Sequence, residues 1–206
     1  DMQEQFLENL REKIRDGPAL FREGGSQYVG YIDKTENPLM FVSVSPEDDS
    51  GYPCRCQCDT CVAIEKAEES PAGLALRFAN QMARGIREEF PEKTVYMYAY
   101  HYTQKPPRFT RPESNMVLYF CPIHAASQSR PMSSPRFKRW NDDLHGWLEI
   151  CDQVYLYDYP SNVSYQFVPH TNLRSLAANI RNWAEIGVTG YHGDGVSRGS
   201  GGTEMA

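Results

Sequence analysis

No apolar stretch in the 206-residue chain approaches the roughly 20 residues that a membrane-spanning helix needs. The amino end is an acidic amphipathic segment, without the basic and apolar pattern of a signal peptide. Lysine and arginine nowhere gather into long runs, and the formal net charge of -6 argues against nucleic acid, whose phosphates demand clustered cations. The histidines stand at no spacing that specifies a metal site. What remains, 40% hydrophobic and 23% charged residues, is ordinary globular composition, enough to bury one sizeable core, and residues 1–206 read as a single domain.

Hydrophobic periodicity divides this domain into alternating elements. Phe6, Leu7, Leu10 and Ile14 recur at helical spacing and Gly17-Pro18 stops them, so a helix is expected over 3–16. The run 39–44 ends at Ser45-Pro46 as a buried strand would. A Cys-rich loop is expected over 50–69. Ser70-Pro71 then reads as a cap with proline at the first helical position, and Leu74, Phe78, Met82 and Ile86 mark one face of a long helix. Strands follow at 95–100 and 116–121, joined by a Pro-rich loop, 103–115, in place of a crossover helix. Phe137, Trp140, Leu144, Trp147, Leu148 and Cys151 trace the next helical face, and a strand follows at 154–157. The final helix is expected to be capped by Asn172 and to bury Leu173, Leu176, Ala177, Ile180, Trp183 and Ala184, before a last strand at 188–191.

Continuous apolar strands separated by amphipathic helices indicate an α/β fold with a parallel sheet. Five strands do not close an eight-stranded barrel. The chain opens at Asp1 and stops at Ala206 just after a Gly/Ser-rich stretch, so both ends are expected to be cut. The expectation is a (β/α) TIM-barrel type of fold holding only the later strands of an incomplete barrel. Polar and aromatic residues follow the strand ends, the edge where parallel α/β folds place their chemistry.

Several of these residues carry a resemblance. Ser43-Val44-Ser45-Pro46 with Asp48, the cysteines that follow, Val95 to Tyr100, Trp147, Tyr157-Asp158-Tyr159, and Gly187-Val188-Thr189-Gly190 with Asp194 resemble the family known as domain of unknown function 4838. The resemblance extends over almost the whole chain. It implies kinship with the barrel glycoside hydrolases, similar to α-glucuronidases and hexosaminidases.

Glycoside cleavage needs two carboxyl groups across the scissile bond, one protonated and one ionised. Asp48, Asp158 and Asp194, each just past a different expected strand, are the catalytic candidates. Each also has a plainer role: Asp48 organising its loop, Asp158 accepting backbone hydrogen bonds before Pro160, and Asp194 favouring a glycine turn. Tyr100, Tyr102, Tyr157 and Tyr159 are candidates to stack on sugar rings, unless they are core, and His101, His124 and His192 to bond sugar hydroxyls. Tyr98 shares a face with Tyr100, and Tyr191 belongs to the same set.

Cys54, Cys56, Cys58 and Cys61 could wrap one structural zinc, although C-x-C-x-C-x-x-C is not the paired C-x-x-C knuckle; disulfides, with Cys121 or Cys151 as distant partners, are the competing reading. Cys58 to Cys61 offers a weak redox motif, and no other cofactor is required. The six cysteines and the glycosylation triplet Asn162-Val163-Ser164 favour a secreted or extracellular location. The functional expectation is a glycoside hydrolase acting on a polysaccharide or glycan. The alternative is a carbohydrate-binding or adhesion module that has lost a catalytic acid.

Overall fold

The computed structural model describes residues 2–16, 41–46, 55–125, 130–160 and 172–193. Its elements run α1 (Met2–Asp16), β1 (Phe41–Ser43), α2 (Asp59–Ala67), α3 (Ala72–Arg87), β2 (Thr94–Tyr100), β3 (Met116–Cys121), α4 (Lys138–Leu148), β4 (Val154–Asp158), α5 (Leu173–Glu185) and β5 (Gly190–Gly193). The strands form one sheet in the order β1-β2-β3-β4-β5. The pairs β1 with β2, β3 with β4 and β4 with β5 all run parallel. No helix among the described residues is long and apolar enough to cross a membrane.

This sheet overturns the expectation of a (β/α) TIM-barrel type of fold, including a barrel cut down to its later strands. Barrel closure requires every strand to have a neighbour on both sides. Here β1 and β5 each have one neighbour among the described residues, and the architecture is α/β with a five-stranded parallel sheet. The chain also divides into two compact units, Asp1–Met97 with Pro107–Val117, and Tyr98–Pro106 with Leu118–Ala206, so that β2 and β3 run through both.

The first unit is built on α3. Leu76, Ala79, Met82, Ala83 and Ile86 lie at helical spacing and are fully buried, as are Val95 and Met97 on one side of β2. α1 lies close against α3, since a Cβ at Gly85 would come within 2.6 Å of the Leu7 side chain. Phe6 meets Phe78 edge-on at 5.1 Å. Within the segment expected to be a Cys-rich loop, residues 59–67 form α2. The turn into α3 passes through Glu69 in the left-handed region (φ 53°). Ser70 does serve the helix start, accepting the Ala72 N–H at 3.1 Å, although Pro71 occupies the cap position itself.

The Pro-rich segment between β2 and β3 contains no crossover helix. Side chains tie its later part, residues 107–115, to the end of α2 and to α3. Asn80 donates to the Arg111 carbonyl at 2.7 Å and accepts the Glu113 N–H at 3.0 Å, and Asn115 donates to the Ala83 carbonyl at 2.9 Å. Glu68, fully buried, accepts from the Arg77 guanidinium (2.6 Å), the Thr110 hydroxyl (2.5 Å) and the N–H groups of Phe109 (2.8 Å) and Thr110 (3.1 Å). These bonds satisfy backbone groups that would otherwise need a helix or strand partner.

In the second unit Leu118, Phe120, Val154 and Leu156 are buried on one side of the sheet, with Leu144 and Trp147 of α4. Trp147 donates its indole N–H to the Gln104 carbonyl at 2.7 Å, and the Gln104 side chain donates to the Cys121 carbonyl at 3.0 Å. α5 departs from its expected face. Its buried residues are Ser175, Asn179 and Trp183, while Leu173 and Ile180 are exposed. Asn179 accepts the Met132 N–H at 2.7 Å, so a polar bond fixes the rotation of α5 where apolar count pointed elsewhere. Asn172 stands at the cap position, but its side chain donates to the Pro160 carbonyl (2.9 Å) instead of capping.

Candidate functional site

Alternation along the strands of the second unit sorts the sheet into two unlike faces. One carries the aliphatic core. The other carries Tyr98 and Tyr100 from β2, Tyr119 from β3, Tyr155 and Tyr157 from β4, and Gly190 and His192 from β5, in the register Tyr119 to Tyr155, Tyr155 to Gly190 and Tyr157 to His192. The rings form a connected set. Tyr119 lies 5.4 Å from Tyr98 and 5.3 Å from Tyr155, and Tyr98 meets Tyr157 edge-on at 5.7 Å. His192 stacks on Tyr157 at 4.6 Å with the planes 18° apart, and Tyr159 is 5.3 Å from Tyr157. Gly190 is required here, because a Cβ would lie within 2.6 Å of the Tyr155 ring. These tyrosines and His192 are half-buried, whereas on the opposite face Leu118, Phe120, Val154, Leu156 and Asp158 are buried and Tyr191 alone of those discussed is exposed.

At the carboxyl end of β2 the chain turns sharply through His101, whose φ of 48° is in the left-handed region, where histidine is one of the more tolerated residues. The Thr103 hydroxyl secures the turn, accepting the Tyr100 N–H at 3.1 Å and donating to the Tyr100 carbonyl at 2.9 Å. His101 packs on Tyr100 at 3.8 Å and lies 6.2 Å from His124, which in turn is 6.3 Å from Trp140. His124 is exposed and Tyr102 half-buried. Of the expected binding residues, Tyr157, Tyr159 and His192 are thus brought together, and Tyr100, His101 and His124 form a second group at the end of β2. Tyr119, Tyr155 and Trp140 are additions; the first two were legible in the strand alternation, the third was read only as part of a helical core face.

Asp158 is placed differently. It follows Val154 and Leu156 on the face opposite the tyrosines and has no exposed surface. Its carboxylate accepts the Tyr159 N–H at 2.9 Å and the Tyr191 hydroxyl at 3.0 Å. Tyr191 belongs to the same face, stacking 6.1 Å from Trp183 of α5. Burial, followed by the charge and the hydrogen bond of Asp158, raises the Tyr191 pKa above the usual phenol value of 10.0. A phenol whose folded pKa is raised stabilises the fold below its unfolded pKa, and that contribution is lost as pH rises from about 10 towards the folded value. Unfolding measured between pH 8 and 11 is therefore expected to show an alkaline loss of stability that is smaller in Tyr191→Phe; an identical slope in the variant would place the dependence elsewhere. Asp48, Asp194 and Asn162 lie outside the described residues.

The cluster Cys56, Cys58 and Cys61 belongs to the first unit. The Sγ atoms of Cys56, Cys58 and Cys61 all lie within 4.8 Å of one another, a cluster that could hold a metal ion, and Cys54 lies outside the described residues. The Cys58 thiol is lowered, first by the backbone N–H of Cys61 and then by the side chains of Cys56 and Cys61. Cys61 is pushed up to about 12, first by its hydrogen bond to Cys58 and then by that to Cys56. Cys121 and Cys151, in the second unit, are buried, and burial raises the Cys151 pKa.

Residues 29–206 match the family described as domain of unknown function (DUF4838), and the chain belongs to that family. No curated protein and no solved structure matches it.

Proposed function

We propose that this member of the DUF4838 family binds a glycan across the tyrosine face of its second unit. The observation that carries the reading is the unlike character of the two sheet faces: one buries Leu118, Phe120, Val154 and Leu156, the other presents Tyr98, Tyr119, Tyr155, Tyr157 and His192 half-buried and in mutual contact. Aromatic rings offer flat apolar area to the C–H face of a sugar, while phenol and imidazole groups at their edges bond its hydroxyls. Stacking between Tyr157 and His192 restrains both rings before a ligand arrives, which lowers the ordering cost of binding.

Glycoside hydrolysis is the second reading. Asp194 directly follows β5, whose His192 stacks on Tyr157, so a carboxyl group stands next in the chain to the tyrosine face. Kinship with α-glucuronidases and hexosaminidases belongs to this reading. Asp158, closed off and bonded to Tyr191, suits support of the strand end better than attack on a sugar.

A glycan array probed with the full chain, followed by reducing-end assays on every hit, separates the two. Loss of one ring stack is worth about 0.5–1.5 kcal/mol, so Tyr157→Ala is expected to weaken binding about tenfold or less per sugar contact. Tyr157→Phe, which keeps the ring, should retain most of it. Turnover that disappears in Asp194→Asn or Asp48→Asn, with binding retained, would establish hydrolysis. Undiminished binding in both Tyr157→Ala and Tyr98→Ala would remove the tyrosine face from the account.

A further inference from the structure

The cysteine cluster of the first unit plays no part in the glycan reading. Cys58 stands at the cap position of α2 in extended conformation (φ -66°, ψ 154°), with the first helical hydrogen bond running from the Val62 N–H to the Cys58 carbonyl at 3.0 Å. Cys61, three residues on, is returned by the first helical turn to the side of Cys58, and Cys56, two residues before the cap, completes the group. Their sulfurs are thereby gathered within 4.8 Å of one another. Three thiolates on one tetrahedral zinc, with Zn–S of about 2.3 Å, stand about 3.8 Å apart, so the cluster needs only small side-chain adjustments to reach that geometry.

α2 also shows a need that such an ion would meet. It has nine residues, none of them buried, whereas isolated helices shorter than about 12–15 residues are marginal in water. Apart from its own hydrogen bonds, α2 is held by the half-buried Arg55 to Glu65 ion pair (3.1 Å), by packing of its more sheltered side on α3 and by the Glu68 anchor that follows it. A metal bridging the residues before α2 to its first helical turn would fix the end of α2 that packing leaves open.

We propose that Cys56, Cys58 and Cys61 bind one zinc ion that pins the start of α2, with the fourth position of the tetrahedron left to a donor outside the three. Each thiol releases its proton to solvent as it becomes a ligand. Soft thiolates select zinc over magnesium and calcium, whose preferred ligands are oxygens. A disulfide is the competing chemistry. Among these three sulfurs it would use two and leave the third beside the bond as an attacking thiol, whereas a metal uses all three.

The experiment uses the full chain purified under reducing conditions without chelator. Metal analysis is expected to give one zinc per chain, and cobalt(II) exchange to give the thiolate-to-metal charge-transfer bands of a tetrahedral sulfur site. Cys56→Ser, Cys58→Ser and Cys61→Ser are each expected to lose the metal, while Cys151→Ser keeps it. Because a variant could fail to fold, a second measurement stays with the unaltered chain. Zinc should protect three thiols from alkylation, a chelator should expose them again, and amide exchange should rise in residues 59–67 when the metal is removed. A chain that carries no zinc and shows no thiol protection by added zinc overturns the proposal, as does a Cys58 to Cys61 disulfide that survives purification in reductant.

Discussion

Trp147→Ala is expected to destabilise the second unit by about 3–5 kcal/mol, the range for removing a buried aromatic side chain. The indole is fully enclosed and ends in a 2.7 Å bond to the Gln104 carbonyl, and Gln104 in turn donates to the Cys121 carbonyl. Truncation therefore opens a cavity and also leaves an acceptor unpaired on the segment that follows β2. Trp147→Phe separates the two effects: it retains most of the apolar contact and loses the hydrogen bond, so it should cost about 1–3 kcal/mol. Equilibrium urea unfolding of both variants tests this. A cost below about 1 kcal/mol for the alanine variant would mean that the side chain is not a determinant of the core.

The second large effect concerns Glu68. Burial by itself would raise the pKa of this carboxyl, but hydrogen bonds from the Thr110 hydroxyl, the Phe109 N–H, Arg77 and the Thr110 N–H outweigh it and hold the group down to about 2, against an ordinary 4.5. A carboxyl depressed on folding contributes stability that is present above its unfolded pKa and is lost as pH falls through the folded one. The wild-type chain is thus expected to lose stability between about pH 4.5 and pH 2, and Glu68→Gln to show a flatter acid limb and a lower plateau at pH 7. Removing one partner of a buried charged network commonly costs about 3–5 kcal/mol, because the donors that remain are left unpaired. Gly73→Ala should act in the same direction without touching a charge, since its Cβ would lie 2.3 Å from the Glu68 Cγ and force the side chain out of place. Unfolding midpoints measured from pH 2 to pH 7 decide the matter, and parallel curves for wild type and Glu68→Gln would refute the assignment.

These two residues differ in how visible they were beforehand. Trp147 announces itself by helical spacing with Leu144 and Cys151. Glu68 carries no such mark, because its partners Phe109 and Thr110 stand 41 and 42 residues away, inside a Pro-rich segment without a period of its own. The same distinction runs through the candidate site. Tyr98 and Tyr100 can be placed on one face of a strand by alternation, yet alternation does not say which face will be covered. Asp158 looked available because it ends a strand; the odd and even positions of β4 send it to the same face as Val154 and Leu156.

By itself the sequence determined the succession of strands and helices apart from α2, which was read as loop, the parallel α/β class and the absence of a crossover helix before β3, because these follow from periodicity and from glycine and proline within a few residues of each position. Tertiary structure alone decided that the strands pair in linear order among the described residues, that α5 buries Ser175, Asn179 and Trp183 instead of its more apolar side, and that the Tyr119 and Tyr155 face, and not its opposite, is left half-buried. The physical reason is common to all three. A local pattern fixes how side chains are spaced around their own element, whereas burial is settled by contacts and hydrogen bonds with residues tens of positions away, and a single buried polar bond such as that from the Met132 N–H to Asn179 can select a face against the count of apolar residues.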